Sequence, residues 1–92
     1  MPERPQITAE ITKLKEMKPR VRHFSGFGDD HHAAIDAQVR VLEQGLSEDD
    51  VYTEFEDGAE NVLDAACTAA QWLAGEELDI ETPSEEWECL LT

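Results

Sequence analysis

Apolar residues recur at helical spacing along most of the chain, with Gly and Pro between the sets. Ile7, Ile11, Leu14 and Met17 share one face of a helix from about Thr8 to Lys18. Pro19 closes it, because proline disfavours helix in the residue before it. In RVRHFSGFGDD, Val21, Phe24 and Phe27 alternate loosely with polar residues, which predicts a short extended segment or ordered loop near residues 20–27. From Asp30 to Gln44 the pattern is helical again. Asp29 or Asp30 is placed to cap this helix and Gly45 to end it. Ile35, Val39, Leu42 and His31 fall within about 80° of one another at 100° per residue. Ala34, Ala37 and Val41 widen the arc, so this is the central core helix. His32, Asp36, Arg40 and Glu43 form its polar strip.

Ser47 followed by Asp50 reads as a capping box for a short helix that buries Val51, Tyr52 and Phe55, broken by Asp57 and Gly58. From about Ala59 to Ala74 an alanine-rich helix points Val62, Leu63, Ala66, Ala69, Ala70 and Leu73 one way. Gly75 is its expected C-cap, and Trp72 falls at the edge of the apolar arc, partly exposed. Ser84 is placed to cap a last short helix that docks Trp87, Leu90 and Leu91. The whole predicts a mostly α protein, one small domain over residues 1–92 with four to five short helices. Residues 1–6 are expected to be flexible. A chain of 92 residues holds one core and not two.

Charge changes this picture from a generic bundle to one with a distinctive surface. Twenty-two acidic and seven basic residues leave a formal net charge of −15, enough to repel polyanions and attract cationic partners. The charge is also segregated. Residues 1–28 carry six bases and three acids, +3, whereas residues 29–92 carry nineteen acids and Arg40 alone, −18. Leu46–Glu60 holds seven carboxylates and no base, and Glu76–Glu88 holds seven more, again without a base. Direct binding of nucleic acid is therefore not expected, even through the basic stretch Lys13–Arg22. That stretch is better suited to pairing with the acidic half or touching an acidic spot on a partner.

Candidate chemistry narrows the field further. Asp29–His32 with Asp36 resembles a metal site only superficially. His23, Cys67 and Cys89 are too remote in sequence to complete a tetrahedral zinc set, and no HExxH occurs. The expectation is no metal and no cofactor. The two cysteines lack CxxC spacing and read as reduced, small apolar residues. FSGFG lacks the strand and helix of a phosphate loop, and EFEDGAENVLD lacks the alternating ligands of a calcium loop. No serine elbow or Cys/His signature is present, so no catalytic residue is assigned and a non-enzymatic role is expected. The N-terminal segment has no apolar run long enough for a signal peptide or a membrane span, which predicts a cytoplasmic protein without membrane contact.

Acids three or four residues apart on a helix lie roughly 5–6 Å from each other, a spacing comparable with successive phosphates along a nucleic-acid strand. In size, charge and helical content the chain resembles the small acidic proteins with which phages and mobile elements inhibit bacterial defence, the anti-restriction and anti-CRISPR DNA mimics. Glu48, Asp49, Asp50, Glu54, Glu56, Asp57 and Glu60 carry the resemblance, with Glu76, Glu77, Glu85, Glu86 and Glu88 behind them. It implies an inhibitor in a bacterial host cell that presents a phosphate-like surface to a basic nucleic-acid-binding protein and blocks its nucleic-acid site. Glu48, Asp49, Asp50, Glu54, Glu56, Asp57 and Glu60 would make that contact, with Trp72, Tyr52 or Trp87 as an apolar anchor. The rival is an acidic helical adaptor or a homodimer joined through the apolar edge of Trp72 and Trp87, its charge only solubilising.

Overall fold

The computed structural model describes residues 1–22, 25–26 and 29–91. His23, Phe24 and Phe27 lie outside them. Four α-helices follow in order: α1 (Arg4–Met17), α2 (His31–Gln44), α3 (Glu48–Glu54) and α4 (Glu60–Leu73), with a 3₁₀ turn at Lys18–Arg20 and a C-terminal 3₁₀ helix at Pro83–Leu90. Between α1 and α2, β1 (Ser25–Gly26) pairs antiparallel with β2 (Asp29–Asp30). Val21, just before this hairpin, forms an isolated bridge with Leu91. The mostly α expectation matches the structure, a small helical domain; of the extended segment expected near residues 20–27, only Ser25 and Gly26 are described as strand, and Phe24 and Phe27, which carried that expectation, lie outside the described residues.

The helix ends follow local chemistry. Asp30 caps α2 by accepting from the Ala33 amide at 3.0 Å, and Gly45 leaves it with φ +64°. Ser47 and Asp50 form the reciprocal capping box of α3, satisfying two otherwise orphaned amides. α4 ends in a Schellman motif. Gly75 at φ +80° donates to the Trp72 carbonyl and Glu76 donates to that of Gln71, a conformation glycine adopts without a Cβ penalty.

Two boundaries differ from the sequence expectation. α1 starts at Arg4, not near Thr8, because Glu3 and Gln6 form a capping box and Pro5 fits the first turn. Arg4–Gln6, expected to be flexible, are helical. The last helix begins at Pro83, and Ser84 is not its cap. Ser84 is fully buried and spends both its amide and its hydroxyl on Glu10. This helix is also 3₁₀ over eight residues, longer than such runs ordinarily persist alone. Side chains of α1 and α2 hold it.

α2 and α4 form the centre and pack along each other, with α1 against α2 and α3 against α4. Ala34 and Ala37 of α2 and Ala65, Ala66, Ala69 and Ala70 of α4 are all buried. Such small side chains let the two axes approach closely. Leu14, Met17, Val21, Ile35, Val39, Val41, Leu42, Val51, Val62 and Trp87 fill the rest of the core. Tyr52, expected to be buried, is 55% exposed. One turn of α3 reaches the core, and Val51 alone on it is buried.

Two polar residues are buried inside apolar stripes. Gln38, fully buried, donates through Nε2 to the Ala65 carbonyl at 3.1 Å and to Glu86 at 3.4 Å, and its Oε1 accepts from the Trp87 indole at 2.8 Å. Glu10, 6% exposed, accepts from the Ser84 amide and hydroxyl, each at 3.0 Å. Gln38 thus ties α2, α4 and the 3₁₀ helix together, and Glu10 ties α1 to the start of that helix, where an anion meets the positive end of the helix dipole.

Candidate interaction surface

The acidic row is carried by α3, the turn after it and the first residue of α4. Asp49, Asp50, Glu54, Glu56, Asp57 and Glu60 are exposed, and Glu48 is half-buried. Glu48, Asp49 and Asp50 occupy the first turn of α3, where the helix dipole favours anions. α3 runs back along α4, so Glu48 meets the far end of that helix. It accepts from Gln71 Nε2 at 3.4 Å, and the Glu76 carboxyl hydrogen-bonds to it. That bond, with some burial and the repulsion of the Glu48 charge, raises the Glu76 pKa above its ordinary value.

Whether this row is neutralised depends on the basic α1. Lys13 pairs with Glu88 at 3.3 Å, Lys15 with Glu43 at 3.5 Å and Lys18 with Asp36 at 2.8 Å. All three acids lie on α2 or the 3₁₀ helix. The leader therefore compensates the opposite flank. On the row itself Glu54 is paired, with Arg40, whose guanidinium also lies over the Phe55 ring at 5.4 Å. No ion pair among the described residues reaches Glu48, Asp49, Asp50, Glu56, Asp57 or Glu60. Glu54 is accordingly the weakest of the seven as a contact for an outside cation.

Beside Glu48, Tyr52 and Cys67 face each other across the α3–α4 interface. Hydrogen bonding to Cys67 raises the Tyr52 pKa, helped by the nearby Cys67, Glu48 and Asp64 charges. Burial raises Cys67, against the lowering effect of the Tyr52 bond. Cys89 is exposed on the 3₁₀ helix, and both cysteines are free. No group of three metal-binding side chains converges among the described residues.

The aromatic candidates separate. Trp87 is 4% exposed, and its indole N–H is spent on Gln38, so it is a core residue and not an interface anchor. Of the apolar edge expected for a homodimer, Trp87 is thus inside and Trp72 alone reaches the surface. Trp72 is half-buried and borders a cavity of about 550 Å³ lined also by Glu10, Gly75, Glu76, Glu81 and Thr82. Glu76 belongs to both places. Its pKa is raised by Glu48 of the acidic row, and it lines the Trp72 cavity, so the cavity begins beside the row.

Glu10 and Gln38 belong to no motif, yet their spacing marks both as buried. Glu10 lies three residues after Ile7 and four before Leu14, and Gln38 three after Ile35 and four before Leu42, positions that point into an apolar stripe.

No protein-family model matches the chain, and comparison with curated proteins and with solved structures gives no match. Among the described residues no helix is long and apolar enough to cross a membrane.

Proposed function

We propose that this protein is a non-enzymatic inhibitor acting in the bacterial cytoplasm. It binds a basic, nucleic-acid-handling protein through the carboxylates of α3 and the following turn and occupies the site where that protein would hold nucleic acid. One observation supports this above the others. Lys13 and Lys15 of α1 and Lys18 of the turn after it pair with Glu88, Glu43 and Asp36 and leave the row from Glu48 to Glu60 uncompensated except at Glu54. A merely solubilising surface has no reason to keep its bases on one flank and its unpaired acids on another. The likeness to anti-restriction and anti-CRISPR mimics belongs to this proposal and rests on charge, size and helicity.

The test is competition. A protein captured by this chain from bacterial lysate is given labelled DNA or RNA, and the chain is then added. Release of the nucleic acid is expected, steeply weaker between about 50 and 200 mM salt. The variant Glu56→Lys, Asp57→Lys, Glu60→Lys is expected to lose capture while keeping its helical circular dichroism. Undiminished capture by that variant overturns the assignment of the face.

A further inference from the structure

The acidic row ends at a cavity whose chemistry is different from the rest of the surface. Its wall carries one aromatic side chain, Trp72, and three carboxylates, Glu10, Glu76 and Glu81. Its volume of about 550 Å³ lies within the roughly 300–1,000 Å³ typical of ligand pockets. Gly75 shapes the mouth. A Cβ there would stand 2.9 Å from the Met1 nitrogen, so any side chain at 75 forces Met1 to move.

Glu10 is the group that asks for an occupant. It is 6% exposed, and buried carboxylates are rare unless a cation compensates them. None of the ion pairs among the described residues includes Glu10. Its two bonds come from Ser84 alone, one to each oxygen, and each oxygen keeps a further lone pair. The Ser84 hydroxyl gives its hydrogen to Glu10 and accepts from Thr82 at 3.2 Å, which holds the carboxylate in a fixed place. Three carboxylates against one amino group, that of Met1, which also lines the cavity and enters none of the ion pairs among the described residues, disfavour an anion and favour a cation.

We propose that this cavity is a socket for an arginine side chain of a protein partner, the guanidinium lying on Trp72 with its donors directed at Glu10, Glu76 and Glu81. Arginine suits it better than lysine, because a planar fork stacks on an indole and bonds two carboxylates at once, whereas an ammonium is a compact point charge that is harder to dehydrate. The proposal rests on the reading of the acidic face as a surface for a basic protein. It adds a fixed anchor to a surface whose charges otherwise set mainly the encounter rate.

The probe is N-acetyl-arginine methylamide, titrated into the full ¹⁵N-labelled chain beside its lysine and citrulline counterparts. Saturable shifts are expected at the Trp72 indole and the Gly75 and Thr82 amides, with the Trp87 indole unmoved. Trp72→Ala is expected to weaken binding about two- to fivefold, and Glu81→Gln, at an exposed position, to weaken it while leaving the spectrum folded. An equal response to the uncharged citrulline probe, a larger response to lysine, or shifts spread along α3 overturns the socket. The reversal at Glu56, Asp57 and Glu60 distinguishes the two proposals. It should abolish partner capture and leave this titration intact, so the face can fail while the socket stands, and the reverse.

Discussion

The Trp87 indole donates to the side-chain oxygen of Gln38 at 2.8 Å, both groups buried, and the same Gln38 amide donates to the Ala65 carbonyl. A single amide thus completes the hydrogen bonding of two other elements. Replacing Gln38 with leucine, of similar size, leaves the indole N–H without its partner and takes one donor from the Ala65 carbonyl. A buried donor left unmade costs about 1–3 kcal/mol, which for a domain of this size lowers the melting temperature by roughly 4–8 °C per kcal/mol. Thermal unfolding followed by tryptophan fluorescence measures it. A variant as stable as the parent would show that the 3₁₀ helix does not depend on this contact.

Ser47→Ala removes one half of the α3 capping box. The expected cost is about 0.5–2 kcal/mol. Because α3 is seven residues long, with one buried side chain, the loss should fall mainly on local opening. Amide hydrogen exchange is expected to quicken at Asp50, Val51 and Tyr52 with little change in α2. If α3 carries the contact surface, partner capture should weaken in the same variant without any charge having been altered.

Burial is the main cause that raises the Glu86 pKa, opposed by the Gln38 hydrogen bond and aided by the Asp64 charge. A carboxyl whose pKa is higher folded than unfolded contributes stability below the unfolded value, ordinarily 4.5, and loses that contribution as pH rises through the folded value. Glu86→Gln has no proton to lose there. The melting temperature of the variant relative to the parent should therefore increase as pH is raised from about 4.5 toward neutrality, and a gap independent of pH would contradict the role given to burial.

The two thiols should react at different rates. Cys89 is exposed, whereas Cys67 is partly buried with its pKa raised chiefly by burial. The thiolate is the nucleophile, so mass spectrometry after brief iodoacetamide treatment at neutral pH is expected to find the label on Cys89 well before Cys67. Tyr52→Phe removes the one bond that lowers Cys67 and should slow its labelling further.

The legible part of this fold was the part that short-range chemistry decides. The Asp30 cap, the Ser47–Asp50 box, the positive φ of Gly45 and Gly75, and the apolar faces of α2 and α4 depend on residues within one or two turns of each other, and each stands where the spacing predicts. α1 starts earlier than its apolar spacing marks, because Glu3 and Gln6 cap it and the three residues before Ile7, its first apolar residue, are polar or proline. Ser84 was misplaced because a serine before a helical pattern looks like a cap whether its hydroxyl turns to its own helix or to Glu10, 74 residues away.

The candidate surface divides in the same way. That carboxylates cluster between Glu48 and Glu60 is a property of the sequence alone. That Lys13, Lys15 and Lys18 reach Glu88, Glu43 and Asp36 and not this cluster, that Trp87 is inside while Trp72 borders a cavity, and that Glu10 lines the same cavity outside every ion pair among the described residues were decided by how α1 and the 3₁₀ helix pack on α2. Periodicity assigns a side chain to a face of its own helix. Which other face it meets, and so whether a charge is paired or left open, depends on contacts between residues far apart in the chain.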